Sequence, residues 1–425
     1  MFKQNTNVVI DSEIKTFVFK LENGKITYNI LDSSLNLLNT ETLQDEEIKL
    51  FSASIDLQDT IHLVALIDTG DLNYYKYIDD TWLKSTISNF DVKSNIYNQI
   101  EILIVDNKLH IIYNYSNLMN SNIWSLQHVI YDGRNGSGRN IIRYLSKRSS
   151  SHFTLDLDNH GTIHLFYSND LSGTSRVHHT FYNLYTKAWV PEPPKLSLDN
   201  IHNLVPFLFI DLANNLHCIS LEEVKGGYKI KYLQMSSTGK EKHKWKEIKL
   251  TPILVSSFPP IIFQEDNKLK LLYISQKNMK YIVSTDYGIS WSLENTLDNM
   301  GDDISVVKVS SNLSSKNHKI NHSCFNNSYS PKLNGLEIYS DNTSPPEEIK
   351  TEDITMELIE EDKEIDRDLL VEINNKIDQL LDNYNIVESF ISTITSKQIK
   401  TEELLSDIQK SLDENNKSFF SKLFN

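Results

Sequence analysis

The amino-acid sequence predicts an all-β propeller of seven blades, or alternatively six, followed by a C-terminal α-helical coiled coil. A unit made of an Asp/Asn turn and a strand recurs about every 50 residues, and several units end in a Tyr-rich strand and a tryptophan. A heptad pattern of apolar residues replaces this repeat after residue 363. The first two observations are typical of propeller blades and the third of coiled coils.

The repeated unit is clearest in residues 156–167 (DLDNHGTIHLFY), and variants begin at Asp56, Val105, Asp211 and Glu265. One polar position of its strand recurs at steps of 48, 54, 53 and 53 residues. The residues at that position are His62, His110, His164, His217 and Lys270. A near-constant period of this length indicates a repeat architecture.

Each repeat holds three or four short strands separated by turn residues, without helical periodicity, as in one propeller blade. The closing tryptophans are Trp82, Trp189, Trp245 and Trp291. We expect blades near residues 10–45, 48–92, 95–147, 150–198, 203–251, 255–298 and 302–342. The last is the weakest, because Ser310–Ser330 is rich in Asn and Ser and is predicted to be a loop. Six blades result if the terminal strands share one closing blade.

Residues 284–291 (STDYGISW) fit the pattern Ser-x-Asp-x-Gly-x-x-Trp through Ser284, Asp286, Gly288 and Trp291. This stretch resembles the Asp box of sialidase-like propellers, where it forms a structural turn between a blade's third and fourth strands. The resemblance implies a propeller fold. Sialidases also bind the substrate carboxylate with three arginines from separate blades. Here the first 133 residues contain no arginine, and four of the five propeller arginines lie in one repeat. We therefore expect no sialidase activity, and the sequence predicts that the chain is not an enzyme.

The most basic stretch is residues 131–148 (YDGRNGSGRNIIRYLSKR). Its glycines are not followed by Gly-Lys-Ser/Thr, so a nucleotide phosphate site is not expected. Two interpretations stay open, a solvated hairpin and a contact for an anion or an acidic partner. The candidate ligand-binding residues are Arg134, Arg139, Arg143, Lys147 and Arg148.

Other patterns point to structure rather than chemistry. Asp156, Asp158 and His160 faintly resemble a calcium loop, but no bidentate Glu follows, so a hairpin turn is expected. The recurrent histidines are expected to make the same structural hydrogen bond in each blade. No metal-ligand or nucleophile motif is present. The sequence thus predicts no catalytic residue, no metal and no cofactor.

The domain boundaries follow from a change in composition. Residues 1–342 are the predicted propeller, 343–363 an acidic linker, and 364–425 a coiled-coil helix with an apolar tail. Apolar residues alternate at steps of three and four, interrupted by the polar pair Gln398 and Thr401. The predicted oligomerisation residues are Leu370, Ile373, Ile377, Leu380, Tyr384, Val387, Ile391, Ile394, Leu405, Ile408 and Leu412. The second apolar position of each heptad, position d, is often β-branched, and β-branched residues at d favour a trimer over a parallel dimer.

The composition argues against several classes of function and of protein. A net charge of −15 argues against nucleic-acid binding and against docking on anionic lipid. Two cysteines give no disulfide framework. We see no signal peptide and no apolar run long enough to cross a membrane. The bias toward Ile, Asn, Lys and Ser resembles an AT-rich, clostridial-type bacterial genome. We expect a cytoplasmic protein, or one deposited on a spore or cell surface without a classical signal peptide.

These observations favour a structural or interaction protein. The coiled coil would form a homo-oligomer, with a trimer favoured, or join a heteromeric partner, and so multiply a propeller that binds a protein or a surface glycan. The alternative is a carbohydrate-binding, lectin-like or glycoside-hydrolysing propeller. Convergent carboxylates and aromatics in the central pocket would favour the alternative, and a plugged channel would favour the scaffold.

Overall fold

The computed structural model describes residues 2–43, 47–147, 151–171, 174–191, 196, 203–250, 253–255, 259–275, 278–296, 304–313 and 317–326. The chain separates into two units, Met1–Thr343 and Ser344–Asn425. Every described residue belongs to the first unit. The predicted linker, heptad positions and apolar tail lie outside the described residues, and they stay predictions.

The first unit is a six-bladed propeller in which each blade is built from consecutive antiparallel strands. Blade 1 contains β1 (Phe2–Ile10), β2 (Thr16–Glu22), β3 (Lys25–Leu31) and β4 (Leu37–Thr42); blade 2 contains β5 (Ile48–Ile55), β6 (Ile61–Ile67), β7 (Asp71–Ile78) and β8 (Thr81–Asn89); blade 3 contains β9 (Asn95–Val105), β10 (Lys108–Asn117), β11 (Ile123–Tyr131) and β12 (Gly136–Leu145). Blade 4 contains β13 (Phe153–Leu157), β14 (Ile163–Leu171), β15 (Thr174–Asn183) and β16 (Ala188–Trp189); blade 5 contains β17 (Asn203–Ile210), β18 (Leu216–Val224), β19 (Gly227–Met235) and β20 (Trp245–Glu247), with β21 (Leu254–Val255) beside β19; blade 6 contains β22 (Ile261–Glu265), β23 (Lys268–Ser275), β24 (Asn278–Ser284) and β25 (Asn295–Thr296).

The first strand of each blade is innermost, because these strands contact one another from blade to blade. The chain then returns as a hairpin of β26 (Ile304–Ser311), β27 (His318–Lys319) and β28 (His322–Asn326). β26 pairs in parallel with β1, while β27 pairs with β22. The hairpin, which we call the channel hairpin, therefore joins the first and last blades from inside the ring.

The prediction of a seventh blade is wrong. β26 and β27 pair with the innermost strands of blades 1 and 6, so they cannot form a separate radial sheet. The predicted loop at residues 310–330 instead includes β27 and β28. The six-blade alternative is the observed architecture.

Neighbouring blades pack face to face, so their middle strands are buried on both sides. Every residue of β6 is buried. Phe19 of blade 1 packs in one cluster with Tyr75 of blade 2, and Trp124 of blade 3 packs with Tyr167 of blade 4. Val18 of blade 1 lies in the cluster formed by blades 5 and 6, so face packing also closes the ring.

The inner strands leave backbone groups along the channel, and polar side chains of the preceding blade pair with them. Asn7 Oδ1 accepts from the backbone N–H of Ala53 (3.2 Å), and Ser52 Oγ accepts from that of Ile102 (3.2 Å). Gln99 accepts from the N–H of Phe153 (3.0 Å) and donates to its carbonyl (2.9 Å). These side chains replace the strand partner that an inner edge lacks.

Helix is almost absent from the described part of the chain. Its one helical element is a single 3₁₀ turn at Leu118–Asn120. No helix within the described ranges has the length and apolar character needed to cross a membrane.

Both cysteines are unbonded and buried, Cys218 in β18 and Cys324 in β28. Burial raises the pKa of both thiols. Cys218 is thus a small buried thiol within a repeat strand.

Candidate functional site

A cavity of about 530 Å³ runs along the channel beside the channel hairpin. Its lining residues belong to the inner strands and following turns of blades 2, 3 and 4, to the start of blade 1 and to the hairpin. Among the described residues, blade 5 contributes only Leu212 and blade 6 contributes none. The hairpin thus fills the side of the channel near blades 5 and 6 and leaves open the side near blades 2 to 4.

A first charged bridge connects the hairpin to blade 3. Lys308 Nζ donates to the Glu101 carboxylate, to Ser52 Oγ (2.9 Å) and to the Ile102 carbonyl (3.3 Å). Glu101 also accepts from Gln99 Nε2 (3.2 Å). The side chains of Lys308 and Glu101 keep 17% and 16% of their surface exposed, so a ligand in the cavity could reach both.

A second bridge connects the hairpin to blade 4. Lys319 Nζ lies 3.3 Å from Asp156 Oδ1 and donates to the Leu157 carbonyl (3.0 Å). Asp156 Oδ2 accepts from the backbone N–H of Ile210 (2.6 Å). Burial raises the pKa of the Asp156 carboxyl, and the Lys319 ammonium opposes that shift. Asp156 is therefore mainly a structural contact between blades 4 and 5 and the hairpin.

Sequence reasoning missed both bridges. Glu101 interrupts the apolar run IEILIV, and Lys308 interrupts the run ISVVKVS. Burying a charge inside a strand costs free energy unless the charge is paired. Glu101 and Lys308 therefore each indicate a buried ion pair. The sequence does not identify the partners of these charges, because the predicted seventh blade would place the hairpin strands in a separate sheet.

Turn residues form the rim of the cavity where the inner strands end. Asp56 accepts from the backbone N–H groups of Gln58 and Thr60 (both 2.9 Å), and Asp158 accepts from that of Thr162 (2.7 Å). The exposed Asp106 lies in a two-residue turn at φ 49°. Asp158 thus holds a hairpin turn, as predicted. No group of three or more His, Cys, Asp or Glu side chains in the described part of the chain could hold a metal ion.

The recurrent histidines of blades 2 and 5 make the same two contacts, whereas those of blades 3 and 4 make others, so the prediction of one shared hydrogen bond is confirmed only in part. In blade 2, His62 Nε2 lies 2.9 Å from Asp56 Oδ2 and its Nδ1 lies 2.7 Å from Tyr74 Oη. In blade 5, His217 makes the corresponding contacts with Asp211 (3.1 Å) and Tyr232 (2.7 Å).

Blades 3 and 4 use a second histidine in place of the tyrosine and add a tryptophan from the next blade. His110 Nδ1 lies 3.0 Å from His128 Nε2, and Trp189 Nε1 donates to His128 Nδ1 (3.1 Å). The same arrangement links His164, His179 and Trp245, with distances of 3.0 and 3.3 Å. Burial lowers the pKa of His110 to about 4 and that of His128 to about 3. These chains, which we call blade relays, connect adjacent blades.

The predicted basic residues do not form one site. Arg134 lies in the turn before β12, and Lys147 follows the far end of that strand. A bulge in β12 sets Ile142 opposite Leu126 but Asn140 opposite Gln127. Because side chains alternate along a strand, this extra residue places Arg139 and Arg143 on opposite faces.

Each of these residues has its own surroundings. The Arg139 guanidinium lies 5.7 Å from the ring centre of Tyr182 and donates to the Lys187 carbonyl, so it contacts blade 4. Arg143 is exposed on the other face. Arg148 lies outside the described residues. None of the four described basic side chains lines the cavity, and their role in ligand binding stays a prediction.

The turn at residues 284–291 lies between the third and fourth strands of blade 6. Ser284 Oγ accepts from the backbone N–H of Gly288 (2.8 Å), and Asp286 accepts from that of Ser290 (2.8 Å). Gly288 has φ +88°, and a Cβ there would lie 1.9 Å from the hydroxyl oxygen of Tyr232. Glycine is therefore required by both the backbone angle and the contact with blade 5.

No protein family model matches this chain, and no curated protein sequence is similar to it. Solved structures are similar in fold. An ulvan lyase, a polysaccharide lyase bound to -[GlcA(1-4)Rha3S]-, has 11% identity over 78% of this chain and 90% of that chain, with a TM-score of 0.50. An α-L-arabinanase from Penicillium chrysogenum covers 65% of this chain and 92% of its own at 12% identity (TM-score 0.42). The six-bladed Aleuria aurantia lectin covers 70% and 96% at 11% identity (TM-score 0.39).

These comparisons correct one prediction. The prediction that the chain is not an enzyme is wrong, because it took the missing sialidase arginines as evidence against any catalysis. The ulvan lyase shares this chain's propeller fold and is an enzyme of another class. At 11% identity the likeness shows the fold alone.

Proposed function

We propose that the central cavity binds a saccharide and that the protein recognises or cleaves carbohydrate. The observation that carries this proposal is the cavity of about 530 Å³ lined by carboxylates, lysines and side-chain amides. Its volume falls within the range of about 300–1,000 Å³ typical of ligand sites. The saccharide bound by the ulvan lyase supports a carbohydrate ligand. The channel hairpin fills one side of the channel, and a filled channel favours a structural role.

The charges of the cavity narrow the ligand class. Among the described residues, the carboxylates that line the cavity are Asp56, Glu101, Asp106, Asp156 and Asp158, and the lysines are Lys308 and Lys319. Both lysines are already paired with carboxylates. An anionic saccharide would meet uncompensated negative charge, which disfavours its binding. We therefore expect a neutral or amino-bearing saccharide rather than a uronate polymer.

Glu101 is the residue on which this proposal depends most. It lines the cavity, is reachable from it, and offers the acid–base chemistry that glycosidic bond cleavage requires. The test measures binding of neutral, amino and glucuronate-containing oligosaccharides to the full chain by calorimetry. The same saccharides are assayed for new reducing ends and for the ultraviolet absorbance of unsaturated products.

We expect Glu101→Gln to weaken saccharide binding at least tenfold. The matched control is Glu222→Gln, which removes a carboxylate paired with Lys231 (3.4 Å) outside the cavity. The proposal fails if no saccharide binds at millimolar concentration, or if the two variants bind alike.

We propose further that residues 364–425 assemble the chain, as the heptad pattern predicts. A trimer would present three cavities and raise avidity for a polymeric glycan without any new contact.

We also propose that residues 284–291 form an Asp box like that of sialidase-like propellers. The hydrogen bonds of Ser284 and Asp286 across the turn support this resemblance. Under this proposal the turn is structural, because it packs against Tyr232 of blade 5 and does not line the cavity.

A further inference from the structure

Exposed apolar side chains cluster at one corner of blade 3. Leu118, Met119, Ile123 and Leu145 are 53%, 94%, 39% and 38% exposed. Ile123 lies directly opposite Leu145 in the β11–β12 pair, and Leu118 and Met119 form the 3₁₀ turn that precedes β11. Several other exposed apolar residues of the described ranges stand singly in turns, such as Leu57 and Tyr185.

A polar and aromatic row borders this cluster. Tyr97, Tyr115, Ser125 and Arg143 lie directly opposite one another across all four strands of blade 3. Directly opposed residues project to the same face of a sheet, and so do residues two apart on one strand. Arg143 therefore shares a face with Leu145, and Tyr115 shares it with Ile123.

The tyrosines and the arginine are available for contact. The rings of Tyr97 and Tyr115 have centroids 5.7 Å apart and are partly exposed. Arg143 is exposed. Exposed Tyr, Met and Arg around an apolar centre are characteristic of protein-binding surfaces.

We propose that this corner, which we call the blade 3 surface, docks an acidic polypeptide segment that carries apolar side chains. Arg143 supplies an exposed positive charge beside the apolar cluster, so an acidic partner is complementary here. The apolar cluster would receive the partner's apolar side chains. This inference is independent of the saccharide cavity, which none of these residues lines.

An anionic membrane is the less favoured occupant. Each basic residue near an anionic lipid surface contributes only about 1 kcal/mol, and lipid-binding patches contain about four to eight of them. The blade 3 surface offers Arg143 and the neighbouring Lys147, and the net charge of the chain opposes approach to such a membrane.

The test uses the full chain and three labelled synthetic peptides, of alternating Glu and Leu, Glu and Ser, and Lys and Leu, with fluorescence anisotropy as the readout. We expect only the Glu–Leu peptide to bind, and its affinity to fall as salt is raised. Arg143→Glu should weaken binding at least tenfold, and so should Met119→Ser combined with Leu145→Ser.

The matched control is Leu37→Ser combined with Leu38→Ser, which removes two exposed apolar side chains from the outer strand of blade 1 and should leave binding unchanged. Far-ultraviolet circular dichroism and melting temperature verify that each variant folds. The proposal is overturned if the Glu–Ser peptide binds equally well, if no peptide binds, or if Arg143→Glu has no effect. Binding to phosphatidylserine vesicles that depends on Arg143 would assign the surface to lipid and would also overturn it.

Discussion

The indole of Trp189 determines which ring nitrogens carry protons in the blade relay of blades 3 and 4. Trp189 Nε1 can only donate, so His128 Nδ1 accepts and its Nε2 carries the proton. His128 Nε2 then donates to His110 Nδ1, which leaves the proton of His110 on Nε2. Both rings must be neutral for this chain to exist, because an imidazolium has no acceptor.

Removing the indole N–H of Trp189 tests the contribution of its hydrogen bond to His128. Trp189→Phe keeps an aromatic ring but leaves His128 Nδ1 as a buried acceptor without a partner. Trp291→Phe is the matched control, because Trp291 Nε1 is buried and has no partner among the described residues. In urea denaturation, Trp189→Phe should lower the free energy of unfolding by about 1–2 kcal/mol more than Trp291→Phe. Equal losses would mean that the N–H of Trp189 contributes nothing beyond packing.

The lowered histidine pKa values predict a dependence of stability on pH. The unfolded chain protonates histidine near pH 6.5, while the folded chain protonates His110 only near pH 4. Between these values the unfolded state binds more protons, so the free energy of unfolding falls as the pH is lowered. Stability should be greatest above about pH 6.5 and decline toward pH 4, with His110 alone accounting for at most about 3 kcal/mol.

Melting temperatures from pH 7.5 to 4.0 measure this slope. His110→Gln should flatten it, whereas His243→Gln, at an exposed turn of blade 5, should not. If His110→Gln leaves the dependence of melting temperature on pH unchanged, other groups, such as carboxylates, cause the loss of stability in acid.

At the scale of elements, the channel hairpin is held by its two lysines. Lys308→Met would leave Glu101 as a largely buried carboxylate without its cation, which we expect to cost about 2–3 kcal/mol. Combining Lys308→Met with Glu101→Gln should recover part of that loss. Lys244→Met is the control, since Lys244 and Glu241 are 67% and 74% exposed and such pairs contribute little. Similar losses for Lys308→Met and Lys244→Met in urea denaturation would contradict a stabilising role for the bridge.

Elements whose conformation depends mainly on their own residues could be predicted from the sequence. The Asp turns, the histidine strands and the tryptophans repeat with the blade, so their period revealed the propeller. A closing blade shared by the terminal strands was one of the two predicted alternatives, but the parallel pairing of β26 with β1 could not be predicted, because parallel strands far apart in the chain share no local signal. The bulge in β12 was equally hidden, since Arg139 and Arg143 are four residues apart and an unbulged strand would place them on one face.

At the scale of the whole molecule, assembly is the main prediction that the described residues do not test. The heptad positions from Leu370 to Leu412 predict that the full chain is oligomeric, with a trimer favoured. Light scattering should give a multiple of 49.1 kDa for the full chain and a monomer for a chain ending at Ser340. A monomeric full chain would refute self-assembly, and an oligomeric truncated chain would place the interface in the propeller.

The position of the channel hairpin at the end of the propeller also determines when its strands can pair while the chain is being synthesised. β1 is among the first strands to be made, yet its inner edge has to wait about 300 residues for β26. Until residue 326 is available, β1 and β22 lack the pairs that the hairpin supplies, and blades 1 and 6 meet only face to face. A partly made chain therefore exposes an open strand edge, which favours pairing with other chains. The last strands of the propeller to be synthesised thus end the period in which the nascent chain is most prone to aggregation.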